Sequence, residues 1–141
     1  MRVSYKLLRA DEAVWRPSRT FGVANANLAE QLATDKFGAR FWRLEPGETN
    51  TRHRHHSEHE LYILLEGLGR IRIDEDLLTL DPLSMVLVEP GAFRQVFNDT
   101  DADQLWIVIG VPQEAIPTDP DARVWMYPDG AEACPPELAG T

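Results

Sequence analysis

The chain has 141 residues, enough for one domain to bury a core without disulfide or metal staples. Its hydrophobic fraction of 43% with 26% charged residues is that of an ordinary globular protein, and its formal net charge of −9 argues against nucleic acid or a membrane surface as partner. The lone cysteine, Cys134, permits no internal disulfide and suits a reducing, cytoplasmic compartment. No apolar run approaches the roughly 20 residues of a membrane span, and residues 1–6 lack the apolar core of a secretory signal.

Residues 1–36 read as an N-terminal arm. It holds a short strand over residues 3–8 and an irregular stretch over 11–20, with Trp15 and Pro17. Residues 24–34 form either a short helix, capped by Asn25 or Asn27, or an extended segment lying along a sheet. From Phe37 the apolar period becomes two. Strands are expected over 37–44, 49–55, 60–66, 70–73, 77–80, 84–88, 94–98 and 104–111, separated by Pro, Gly and Asp turn residues. Short strands so punctuated imply a sandwich or barrel. Phe41, Trp42, Phe93, Phe97 and Trp106 are candidate core or pocket wall. Residues 112–141 carry five of the prolines after Pro112 and read as an extended tail over the barrel, anchored by Trp125 and Tyr127.

All four histidines, His53, His55, His56 and His59, fall within seven residues, with Glu60 next. In an extended strand His53 and His55 share one face and Arg52 and Arg54 the other. Two imidazoles and a nearby carboxylate suit a divalent transition metal: Fe, Mn, Ni, Zn or Cu. By the same alternation Glu60 shares a face with Tyr62, Leu64 and Glu66, while His59 points away.

Gly47, five residues, His53-x-His55, four residues, Glu60, six residues and Gly67 resemble the first motif of the cupin superfamily without a break. Glu89-Pro90-Gly91 through Asn98 resembles the second motif, with Leu83 and Ser84 where its opening glycine and aspartate would stand and Arg94 where its histidine, usually the fourth metal ligand, would stand. The resemblance implies an all-β double-stranded β-helix, a jelly-roll barrel over 37–111, with an interior site and with Glu60 turned inward. His53, His55 and Glu60 are then the expected metal ligands.

A guanidinium cannot ligate a metal and stays charged, which leaves two coherent sites. In one, a three-ligand metal survives while Arg94 holds a substrate anion and Tyr62 lines the ligand space. In the other, Glu60 pairs with Arg94 in a metal-free binding or sensor domain. The first implies a metal-dependent dioxygenase, isomerase or lyase on a small anionic metabolite. Its general base is unassigned among Tyr62, Glu66 and the surplus histidines. By analogy with cupins a homodimer is expected, with contacts from the arm.

Overall fold

The computed structural model describes residues 4–140. Its two antiparallel sheets form from β1 (Arg16–Pro17), β2 (Ala24–Asn27), β3 (Gly38–Leu44), β4 (His59–Glu66), β5 (Gly69–Ile73), β6 (Asp76–Leu80), β7 (Met85–Val88), β8 (Arg94–Phe97) and β9 (Gln104–Val111). Six strands run in the order β1-β2-β3-β9-β4-β7, and three in the order β6-β5-β8. This is the double-stranded β-helix.

Alternation along the strands separates two apolar layers. Leu44, Tyr62, Leu64, Ile71, Val88, Val96, Trp106 and Val108 face inward and make the core between the sheets. The opposite face of β3 and β9 offers Ala39, Phe41, Ile107 and Ile109, which pack under the arm against Ala26 and Leu28. Phe41 therefore belongs to this outer layer, stacked on Trp15 with centroids 5.9 Å apart, and not to the interior. Trp106 and Phe97 are fully buried, whereas Phe93 is partly buried beneath the guanidiniums of Arg52 and Arg54.

Three elements differ from expectation. Residues 4–8 form no strand, because Tyr5 and Leu7 lie in solvent and only Leu8 packs on the sheet; Val3 lies outside the described residues. Residues 49–55 run beside β8 but bridge it only at Thr49–Phe97 and His53–Arg94. Four steps on one side, 49 to 53, thus face three on the other, 97 to 94. The surplus residue is a bulge, and it breaks the ladder. The tail is not simply extended: it folds α2 (Pro120–Met126), capped where the Asp119 carboxylate accepts from Ala122 N, and a 3₁₀ turn at Pro136–Leu138. Both readings of residues 24–34 hold in part, as β2 leads directly into α1 (Leu28–Gln31) with Asn27 as its cap.

The bulged segment is held from both sides. His53 exchanges backbone hydrogen bonds with Arg94, and Arg54 N donates to Met126 O at the end of α2. Arg54 Nε donates to Trp125 O and its guanidinium lies over the Trp125 ring, while Arg52 pairs with Asp129. Trp125 and Tyr127 are half-buried, and Met126 between them is the buried anchor of the tail.

Candidate functional site

Alternation along β4 turns Glu60 and Tyr62 into the barrel and His59 out, where it meets exposed Glu89 at 2.7 Å. The bulge and the His53–Arg94 bridge bring the histidine segment and β8 up to Glu60. Its Oε1 becomes a node. The Tyr62 hydroxyl donates to it at 2.8 Å, His55 Nε2 lies at 3.3 Å, Arg94 Nη1 at 3.5 Å and His53 Nε2 at 3.9 Å. Ligand atoms of His53, His55 and Glu60 all lie within 4.8 Å of one another, the one such group among the described residues. His56 stands outside it, exposed and edge-on to Trp125. Glu66 is outside as well, near Arg43 at the far end of β4.

The protonation states follow from the surroundings. His53 Nδ1 lies 3.1 Å from the Thr51 carbonyl, which only accepts, so Nδ1 carries the proton and Nε2 presents a lone pair. Burial holds its pKa down at about 4, against the pull of Glu60. For His55, burial also opposes charge, but the bond to Glu60 and the charges of Glu60 and Glu58 prevail and raise its pKa. Burial favours a neutral Glu60; His55, His53 and Arg94 together outweigh it and bring its pKa to about 2. Burial and then the Glu60 charge push the Tyr62 phenol well above its usual range, so it stays a donor.

Two acids join the site that the motif did not single out. Glu58, 5% exposed, sets Oε2 3.2 Å from His55 Nε2 and lies against Gly110, where any Cβ would overlap its carboxylate. Burial and the Glu60 charge raise its pKa to about 7. Its spacing two before Glu60 was the available signal. Glu114, after β9, sets Oε2 3.2 Å from His55 Nδ1, and nothing in the sequence marks it.

The donor set suits a metal. Two ligands at about 2.1 Å from one ion stand about 3.0 Å apart at a right angle and about 3.4 Å apart at the tetrahedral angle. The 3.3 Å between His55 Nε2 and Glu60 lies in that interval, and the 3.9 Å from His53 is reached by a small closure. Arg94 bears on the same oxygen. Its side chain is fully buried and Nη2 donates to Glu89 O at 3.2 Å, but Nη1 and Nε have no hydrogen-bond partner among the described residues. Such orphaned donors cost about 1–3 kcal/mol each unless an acceptor arrives.

The site opens into a cavity of about 1220 Å³. Five arginines (16, 19, 40, 94 and 123) line it against four glutamates (30, 58, 60 and 114), a balance of +1 in a chain of formal charge −9.

No curated protein matches the sequence. Solved structures do match in fold. A sugar phosphate isomerase from a cupin superfamily, from Silicibacter pomeroyi DSS-3, is 23% identical with a TM-score of 0.70, covering 79% of this chain and 77% of its own. A predicted oxalate decarboxylase from Thermotoga maritima is 18% identical with a TM-score of 0.67, covering 74% and 97%. A Cupin 2 conserved barrel domain protein from Salinispora arenicola is 20% identical with a TM-score of 0.64, covering 86% and 94%. The family model Cupin_2, the cupin domain, matches residues 40–110, half of the sequence, so the chain belongs to the cupin family.

Proposed function

We propose that this protein binds a divalent transition metal through His53, His55 and Glu60 and acts on, or binds, a small anionic metabolite held by Arg94. The observation that carries the reading is the node at Glu60 Oε1. There two Nε2 atoms and a fixed positive charge converge at the base of a cavity whose lining is positive in an acidic chain. Bound there, the metal would supply Lewis acidity or an open position for water, substrate or O2. Arg94, turned from Glu60 once the metal takes that oxygen, would offer its guanidinium to a carboxylate or phosphate, and Tyr62 lends a hydroxyl already aimed at the node. Two proteins of similar fold, a sugar phosphate isomerase and a predicted oxalate decarboxylase, support a small acidic ligand.

A second reading rests on the 3.5 Å contact between Arg94 and Glu60: a metal-free binding domain in which that pair fills the barrel. Metal analysis of purified wild type, Glu60→Gln and Arg94→His separates the two. The metal reading expects bound metal in wild type, an affinity loss in Glu60→Gln beyond the ~10–100-fold of an outer partner, and a gain in Arg94→His. Metal in Arg94→His alone would favour the second reading. No gain in Arg94→His would show that residue 94 is not at a ligand position.

A homodimer and a cytoplasmic setting belong to the same reading. Edge strand β7 exposes Met85 and Leu87 (57% and 53%) beside Leu61 and Ile63 of β4, an apolar stripe of the kind that pairs sheets. Light scattering that finds only monomer would remove the dimer. The one cysteine, exposed and free, accords with a reducing compartment.

A further inference from the structure

We propose that Glu114 is a positioning residue of the metal site: its carboxylate accepts the Nδ1–H hydrogen bond of His55 and so fixes the ring with Nε2 turned to the metal position. The inference rests on the metal reading and adds a residue from outside the matched cupin region, which ends at 110.

The two imidazoles are held in parallel ways. His53 donates from Nδ1 to the Thr51 carbonyl at 3.1 Å, two residues away within the motif. His55 has no such local acceptor; its Nδ1 lies 3.2 Å from Glu114 Oε2, 59 positions later in the chain. Carboxylates only accept, so each ring nitrogen of His55 has an acceptor for its proton, Nδ1 at Glu114 and Nε2 at Glu60 and Glu58; a metal among His53, His55 and Glu60 would displace the Nε2 proton and leave Nδ1–H on Glu114. A histidine that binds metal through one nitrogen commonly gives its other N–H to a carboxylate or carbonyl, which sets ring orientation and raises ligand basicity.

Glu114 is itself held. Its Oε1 accepts from Ser57 N at 2.6 Å and from Ser57 Oγ at 2.8 Å, and its Oε2 accepts from His56 N at 2.9 Å. Burial would favour its neutral form, but these amides outweigh it and keep it ionised, with a pKa of about 2. The carboxylate thus ties the turn after His55 to the chain beyond β9 and aims one oxygen at the ring. A group needed only to brace that turn would have its bonds complete at His56 and Ser57; the fourth, to Nδ1, concerns the imidazole alone.

The test is a Zn²⁺ titration of wild type, Glu114→Ala and Ser57→Ala, with the His55 ring followed by ¹⁵N NMR in the Zn²⁺-loaded proteins. Ser57→Ala removes a brace of the same turn and leaves the Oε2–Nδ1 contact in place. Expected are about 10- to 100-fold weaker Zn²⁺ binding in Glu114→Ala, near wild-type binding in Ser57→Ala, and an Nδ1–H signal, present in wild type, that is lost or fast-exchanging only in Glu114→Ala. Glu114→Ala binding within threefold of wild type overturns the proposal, as does an equal loss in both variants, which would reduce Glu114 to a brace. Should Glu114→Ala not fold, Glu114→Asp, which draws the carboxylate back by one methylene, carries the same comparison. Wild type that binds no Zn²⁺ fails at an earlier step and overturns the metal reading itself, and this proposal with it.

Discussion

Replacing Glu58 by Gln should change how stability depends on pH in the metal-free protein. The Glu58 side chain is 7% exposed and stands beside the Glu60 carboxylate, and its pKa is raised from 4.5 to about 7. The folded state therefore holds a proton that the unfolded chain releases above about pH 4.5. Bound protons are then more numerous in the folded state, so stability falls as pH rises, and the contribution is gone once pH passes about 7. A displacement of about 2.5 units at ~1.36 kcal/mol each sets the effect at up to about 3 kcal/mol. Gln mimics the protonated acid in size and cannot ionise. Urea unfolding between pH 4.5 and 8 should find the two proteins alike at the acid end and Glu58→Gln more stable at the alkaline end. His53, with its pKa lowered to about 4, makes stability rise between pH 4 and 6.5, but it does so in both proteins and leaves the difference untouched. Parallel curves would refute the reasoning: Glu58 would then titrate as an ordinary carboxylate, outside the buried arrangement.

Asn98→Ala should cost about 2 kcal/mol or more in unfolding free energy with no effect on metal content. The fully buried amide donates to Leu44 O and Ala102 O and accepts from Thr100 N, and its loss strands those groups. Under the metal reading, Zn²⁺ and an anion such as phosphate should each tighten the other's binding in calorimetric titrations. Arg94→Met should weaken the anion and abolish that coupling, since reciprocity requires both to change together.

The strands were legible because their cues are local. Arg70-Ile71-Arg72-Ile73 alternates on its own, and Pro46-Gly47 or Pro90-Gly91 ends a strand whatever lies across from it. The bulge at residues 50–52 is not local, since it exists only relative to the register of β8. Helix α2 carried a readable start in Asp119-Pro120, an N-cap followed by proline at the first helical position, but a run of prolines suggested an extended tail. In the site, His53, His55 and Glu60 were legible because one motif spaces them. Glu58 was within reach, sharing the Glu60 alternation. Glu114 was not, because its distance from His55 is set by how the chain leaves β9 and returns over the barrel.

At Arg94 the choice between the two readings is electrostatic. With Glu60 ionised and His53 neutral, the positive groups facing Glu60 are Arg94 and His55, whose pKa is raised. A divalent ion would add two positive charges beside this fully buried guanidinium. An imidazole at position 94 would have let the ion enter against Glu60, Glu58 and Glu114 with no fixed positive charge beside it. With arginine there, the site carries one more positive charge beside Glu60, Glu58 and Glu114, which favours a further anion. The same substitution that removes a metal ligand therefore favours an anionic ligand when a metal is bound. The two readings of Arg94 thus part at Glu60: with a metal bound, Glu60 turns to the ion and the guanidinium is left for a small acid, and without one Glu60 is itself the partner of Arg94.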